Sequence, residues 1–211
     1  SVLDMLHQGG QRAQAIDRVD HVGASEKFVA DEKHIQFHDK RLWGLRTARD
    51  SEVHGIREWE ELRSLASGIK EHTLTHLPEY LEQFERNATA NGVVVHWAKD
   101  AEEHNRIVYE ILSERKAKVL VKSKSMLTEE CEMRPYLEAR GITVVETDLG
   151  EYILQIKDNE PPSHIIAPAL HLNKDEVADL FAQVHGTPRK SVIEDMTREA
   201  REQLRGHFLS A

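Results

Sequence analysis

The switch of hydropathy pattern at Asn91-Gly92 constrains the fold more than any other feature of the chain. After it, short β-branched runs alternate with amphipathic stretches of helix length. Val93-Val94-Val95-His96-Trp97 reads as a strand, and Asp100 with Glu103 as a capping pair opening a helix to about Arg115. Val119-Leu120-Val121 is a second strand. Thr128, Glu129 and Glu130 open a helix to about Arg140, Gly141 ends it, and Thr143-Val144-Val145 begins a third strand. Tyr152–Ile156 and Ile165–Ala169 read as two further extended segments. Asp175 opens a helix to His185, and Ser191 with Glu194 caps the last helix. Strands and helices alternating at this spacing imply right-handed crossovers and a parallel sheet with helices on its faces, an α/β class.

Before Gly92 nearly everything reads as helix, which divides the chain into a helical N-terminal region, 1–91, and an α/β domain, 92–211. Ser25 to about Ala48 is charged, with Phe28, Ile35, Leu42 and Leu45 as its apolar points. From Ile56 the stripe Ile56, Trp59, Leu62, Leu65, Ile69 follows a 3.6-residue period, and Leu77, Leu81 and Phe84 extend it. Pro78 lacks a backbone donor and crowds the preceding turn, so it predicts a kink or a fresh helix start. Gly9-Gly10 and Gly23 are the expected breaks upstream. A chain opening on Ser1 is expected to have lost an N-terminal piece.

The 211 residues allow one ordinary domain with an appendage, or two small domains. A net charge of -9, spread evenly along the chain, and 6% aromatic residues argue against a nucleic-acid partner. No apolar run approaches the ~18 residues of a membrane span, and no signal-peptide pattern opens the chain. These features predict a soluble, cytoplasmic protein. Cys131 is the single cysteine, which excludes internal disulfides and a cysteine-ligated cluster.

In an open parallel sheet, ligands bind beyond the carboxyl ends of the strands. The first expected strand delivers His96 and Lys99. The second delivers Lys122, Ser123, Lys124 and Ser125, whose ammonium and hydroxyl groups make a candidate seat for a carboxylate or phosphate, or else a solvated loop capping a helix. The third delivers Glu146 and Asp148, with Gly150 and Glu151 just beyond. These carboxylates suit a hard cation or a general base, or simply form an acidic turn. His171, past Pro168, is a candidate proton-transfer group. His72 and His76 are one helical turn apart without a third ligand at matching spacing, which favours solvated residues over a metal pair. Cys131, near the start of an expected helix, reads as a small, partly buried residue. Neither a Walker loop nor a Gly-x-Gly-x-x-Gly fingerprint is present.

Several longer stretches occur in order. They are Trp59-Glu60-Glu61-Leu62-Arg63, Ile69-Lys70-Glu71-His72-Thr73-Leu74, Tyr80-Leu81-Glu82-Gln83-Phe84-Glu85 and Val95-His96-Trp97-Ala98-Lys99-Asp100-Ala101. Val121-Lys122-Ser123-Lys124-Ser125-Met126, Glu146-Thr147-Asp148-Leu149-Gly150-Glu151 and Pro162-Ser163-His164-Ile165 follow. From about residue 35 onward the chain resembles the iron–sulfur protein of the lactate-utilisation system, a LUD-domain family. The resemblance implies a parallel-sheet, Rossmann-like fold related to the sugar-phosphate isomerase and CoA-transferase group. It also implies oxidation of L-lactate to pyruvate by a cytoplasmic multi-subunit assembly, with electrons passing through two [4Fe–4S] clusters in a ferredoxin-like region. The Cys-x2-Cys-x2-Cys-x3-Cys-Pro runs of such a region are absent here, so the expectation is an N-terminal part with no cofactor of its own. Its sheet is then short of strands, and an open edge predicts self-association.

The resemblance reaches Lys122, Ser123, Lys124, Ser125, Glu146, Asp148, Gly150, Glu151, His164 and His171 without assigning them catalytic roles. Lys122, Ser123, Lys124, Ser125, Glu146 and Glu151 are the candidate substrate-binding residues, with His171 and Asp148 the candidate catalytic ones. Three functions follow as alternatives. The chain is the substrate- or partner-binding part of the redox protein, inactive alone and working with the other subunits on a small carboxylate. It is a non-catalytic assembly module presenting the Trp59–Ile69 face. Or, by fold analogy alone, it handles acyl or phosphosugar substrates.

Overall fold

The computed structural model describes residues 20–211, and the break expected at Gly9-Gly10 lies outside them. The described chain forms two compact units, one of residues 20–30 and Asp39–His104, the other of Asp31–His38 and Asn105–Ala211.

The first unit is built from helices. Helix α1 (His21–Val29) begins where Asp20 accepts the Gly23 amide at 2.9 Å, so Gly23 lies within a helix instead of breaking it. The long charged run divides at Ala30-Asp31, because the Asp31 side chain accepts the His34 amide at 3.0 Å and starts α2 (Glu32–Gly55), of which the residues from Asp39 onward belong to this unit. Helix α3 (Trp59–Thr75) carries the apolar stripe, and α4 (Leu77–Ala90) begins afresh with Pro78 in its first turn. There the missing amide costs nothing, since first-turn amides have no intrahelical acceptor. His72 donates to or accepts from the Tyr80 hydroxyl at 2.9 Å and stacks on His76 with centroids 4.3 Å apart. Both histidines are exposed, and no group of three possible metal ligands occurs among the described residues.

Val93–Trp97 is the clearest departure from expectation. It joins no ladder, and Val94 is 75% exposed. Its fixed points lie on α4, where Ala88 O accepts the Val93 amide at 3.0 Å and Glu85 accepts the Trp97 indole N–H at 2.8 Å. Strand propensity is local whereas pairing is not, and these valines lack a partner strand among the described residues.

Helix α5 (Ala101–Glu114) starts at Asp100, whose carboxylate accepts the Glu103 amide at 2.9 Å, and leads into the second unit. The sheet there has two strands, β1 (Val119–Lys122) and β2 (Thr143–Glu146), which are parallel. The register pairs Val119 with Thr143 and Lys122 with Glu146. A parallel pair needs a crossover, supplied by α6 (Met126–Glu130) and α7 (Met133–Glu138) in place of the one helix expected from Thr128 to Arg140. Pro135 explains the break. It has no N–H for the Cys131 carbonyl in a continuous helix, and the Asn105 side-chain amide donates to that carbonyl instead, at 2.6 Å. Glu132 turns the chain at φ +51, and Gly141 at φ +79 ends the crossover before β2.

Tyr152–Ile156 belongs to helix α8 (Leu149–Ile156), not to a strand. Tyr152, Ile153 and Leu154 are all buried, and such a run fits a buried helix as well as a buried strand. Asp148 decides between them by accepting the Gly150 and Glu151 amides at 3.1 and 3.3 Å. Ile165–Ala169 is likewise no strand. It is an irregular loop in which Ser163 donates to the Pro168 carbonyl through both its amide and its hydroxyl, while His164 Nδ1 accepts two backbone amides. Helix α9 (Lys174–His185) has a capping box on Asn173, not Asp175, and α10 (Ile193–Ser210) follows Val192 without a side-chain cap from Ser191.

Two apolar clusters hold this unit. Met133, Leu137, Ile142 and Val144 form one, with Val108, Tyr109, Leu112 and Leu120 against it. Leu137 is fully buried, which stabilises by about 1.5–3 kcal/mol relative to exposure. Ile153, Leu154, Leu172, Phe181, Met196 and Ala200 form the other, joining α8, α9 and α10. The unit is an α/β structure with an open sheet in which each strand keeps one unpaired edge among the described residues.

Candidate functional site

The ladder itself starts the site. Opposed at the carboxyl end of the sheet, Lys122 Nζ donates to Glu146 Oε2 at 2.7 Å and to Glu129 Oε1 at 2.9 Å. The Lys122 and Glu146 side chains are 9% and 5% exposed. Burial disfavours the charge on Lys122, but its hydrogen bonds to Glu146 and Glu129 outweigh that and hold it above the usual lysine range. Burial raises the Glu146 carboxyl above its usual range, against the opposing pull of Lys122. Gln155 braces this end, accepting the Glu146 amide at 3.0 Å and donating to the Val144 carbonyl at 2.6 Å.

Beyond these ends lies a pocket of about 540 Å³. Lys124 and Met126 come from the β1–α6 loop, Glu129 from α6, Arg134 from α7, and Glu151, Leu154 and Gln155 from α8. The loop from Asn159 to Ile165 closes another side. Lys124 Nζ faces Glu151 Oε1 at 3.2 Å, while Arg134 donates to the Asn159 side-chain carbonyl at 2.6 Å. Gly150 admits a close approach to the chain just beyond this loop, since a Cβ there would lie 3.1 Å from Pro168 Cδ.

Of the strand-end residues singled out in sequence, Lys124, Glu146 and Glu151 line the pocket together. Lys122 lies behind it with its ammonium shared by two carboxylates. Ser123 is exposed, and Ser125 caps α6 by accepting the Thr128 amide at 3.4 Å. Asp148 caps α8. His171 is buried, with Nε2 3.2 Å from Glu160 Oε1 and its ring stacked on His34 at 6.4 Å. Burial lowers the His171 pKa despite the Glu160 charge. Glu160 lines the pocket, and although burial opposes its ionisation, Lys157 and His171 pull its carboxyl below the usual range. His171 therefore meets the pocket wall through Glu160.

His96 and Lys99 belong to the other compact unit, since Val93–Trp97 joins no sheet. Cys131 ends α6 instead of starting a helix, and burial together with Glu130 pushes its thiol up, away from a reactive thiolate. Arg134, Glu129 and Glu160 carry no sequence signal of a site. They reach the pocket through the helix break at Glu132 and the loop after α8.

An open parallel sheet with helices packed on it and a ligand-sized pocket at its strand ends places the second unit among α/β domains whose candidate site lies beyond the carboxyl ends of the strands. The chain belongs to the LUD domain family, which matches residues 81–211. It is similar to Lactate utilization protein B of Shouchella clausii, 48% identical over 79% of this chain and 35% of that protein. Lactate utilization protein B of Geobacillus kaustophilus is 48% identical over 75% of this chain and 33% of its own length. That of Macrococcus caseolyticus is 46% identical over 74% of this chain and 33% of its own length. The chain thus spans about a third of the length of these relatives. No solved structure matches it, and no helix among the described residues is long and apolar enough to cross a membrane.

Proposed function

We propose that this chain supplies the ligand- and partner-binding part of a cytoplasmic protein acting in lactate utilization, the iron–sulfur subunit of a complex oxidising L-lactate to pyruvate. The identity of 48% to a protein named Lactate utilization protein B over 79% of the chain carries this reading. A [4Fe–4S] cluster needs four cysteine ligands, and the single Cys131 does not fit one. In this reading the clusters belong to the part of the relatives that this chain does not span.

On the substrate side, Lys124 is the lysine of the strand-end run that lines the pocket, so it holds the carboxylate. The Glu160–His171 pair, its histidine buried and its carboxylate half-buried, stands at the wall toward the hydroxyl. Replacing Lys124 by Ala in the full-length protein within its complex raises the Michaelis constant for L-lactate about tenfold, the loss of roughly one charge-assisted hydrogen bond. An unchanged constant removes Lys124 from the substrate site.

The unpaired edges of β1 and β2 add self-association to this reading. Light scattering at rising concentration is expected to show species larger than a monomer, and a constant monomer mass argues against it. A second reading, the assembly module, is favoured by Leu62, Leu65 and Ile69, which stand 50%, 61% and 57% exposed along one stripe of α3. It makes strand-end replacements harmless, while Leu65→Asp dissociates the complex.

A further inference from the structure

The pocket is larger and more apolar than a three-carbon acid requires. Its volume of about 540 Å³ lies within the roughly 300–1,000 Å³ of drug-sized sites. Met126, Leu154, Pro162 and Ile165 give it an apolar wall. Its cations are unequally committed. Lys124 already faces Glu151. Arg134 has only a neutral partner among the described residues, the Asn159 carbonyl, and a guanidinium offers five N–H donors in a fork that fits carboxylate or phosphate. Opposite in character is Glu151 Oε2, a buried oxygen in the same lining that accepts no hydrogen bond among the described residues. Buried acceptors are ordinarily satisfied, so this one calls for a donor from the pocket.

We propose that the Arg134 end of this pocket binds an amphipathic organic anion. Arg134 holds its carboxylate or phosphate, its apolar body lies along Leu154, Pro162 and Ile165, and an N–H or O–H of the ligand donates to Glu151. Lactate at Lys124 would leave that end and its apolar wall to water. The proposal shares the cavity with the reading above but not the ligand.

8-Anilinonaphthalene-1-sulfonate combines an anion, an apolar body and one N–H, which makes it the probe. Its fluorescence is titrated against the chain, then reversed with decanoate, decyl phosphate or L-lactate. Saturation at one site per chain is expected, with displacement by decanoate or decyl phosphate; the stronger of the two identifies the headgroup. Arg134→Ala weakens probe and competitor at least tenfold. Ile165→Glu does the same by setting a carboxylate in the apolar wall, and Ile165 is 57% exposed, so folding tolerates it. Unchanged binding in both variants overturns the proposal and assigns the fluorescence to exposed apolar helix faces. Displacement by L-lactate as strong as by decanoate also overturns it, while leaving the lactate reading intact. Arg134-dependent decanoate binding together with a Lys124→Ala variant of unchanged lactate constant sinks the lactate reading and leaves this one standing.

Discussion

Replacing Lys122 by Met lowers the stability of the chain by about 3–5 kcal/mol, the usual cost of leaving a buried charge without its partner. The Glu146 side chain is 5% exposed, and Lys122 Nζ at 2.7 Å is its ion partner in the sheet. Methionine fills the space of the lysine stem but donates nothing, so the carboxylate must ionise in an apolar setting or take up a proton. Replacing Glu146 by Leu as well restores most of the loss, because two apolar groups in register form an ordinary parallel pair. Urea unfolding at neutral pH measures both variants, with an unchanged denaturant slope as the sign that the folded state is otherwise preserved. Acidity separates this cause from simple loss of packing. Burial already raises the Glu146 pKa in the parent chain, and loss of Lys122 raises it further. A group with a raised folded pKa binds its proton more readily in the folded state, so the deficit of the Met variant shrinks as pH falls through that pKa. A loss below about 1 kcal/mol, or one independent of pH, means that water reaches Glu146 and the pair is a surface ion pair of little consequence.

The same pair shows what was legible beforehand. Lys122 and Glu146 are each recognisable as strand-end residues, because β-branched runs mark β1 and β2 and the strand-end rule says where to look. Their mutual neutralisation depends on register, and register is settled by pairing across 24 residues. That is why the Lys-Ser-Lys-Ser run reads as two free ammonium groups when both are ion-paired, Lys122 to Glu146 and Glu129 and Lys124 to Glu151. Helix boundaries read well where the signal is local, as at Asp100, Pro78 and Gly141. They read poorly at Thr128–Arg140, although Pro135 was in plain view, because the acceptor it leaves unfilled is answered by Asn105 from another helix. Val93–Trp97 and Tyr152–Ile156 differ from the strands their composition implies for opposite reasons. The first has strand composition without a partner, and the second is a buried helix whose apolar run hides its period. Arg134 is not legible as a site residue, because only the approach of α7 to the loop after α8 gives it a place in the pocket.

Replacing His185 by Phe costs about 3–5 kcal/mol, although Phe keeps the ring contact with Phe181, whose centroid lies 4.8 Å away. The cost lies at Glu199. His185 Nδ1 is 2.9 Å from Glu199 Oε1, Thr187 donates its hydroxyl to the same oxygen, and His185 Nε2 meets the Tyr152 hydroxyl at 3.0 Å. An imidazole protonated on Nδ1 donates to the carboxylate and accepts from the tyrosine, so one ring ties α8, α9 and α10 together. The His185 and Glu199 side chains are 2% and 7% exposed. Removing the imidazole leaves a buried carboxylate with Thr187 as its remaining donor among these groups, and a tyrosine hydroxyl without its acceptor. Glu199→Leu strands the opposite partners, the Nδ1 proton and the Thr187 hydroxyl, at about 1–3 kcal/mol for each unsatisfied group. The double variant His185→Phe with Glu199→Leu then costs less than the sum of the single ones, with a coupling of at least about 1 kcal/mol. Additive losses would show that the two side chains act separately. Acid provides the independent check. Burial opposes ionisation of Glu199, but the hydrogen bonds from Thr187 and His185 prevail and hold its carboxyl below the usual glutamate range. A carboxylate with a lowered folded pKa contributes stability that is present above its unfolded value and is lost as pH falls through the folded one. The parent chain therefore loses stability across that acid window, and the Glu199→Leu variant loses less. Because α8 also presents Glu151 and Gln155 to the pocket, this network fixes the helix that carries one wall of the candidate site, which links the stability of the α8–α9–α10 core to the geometry of ligand binding.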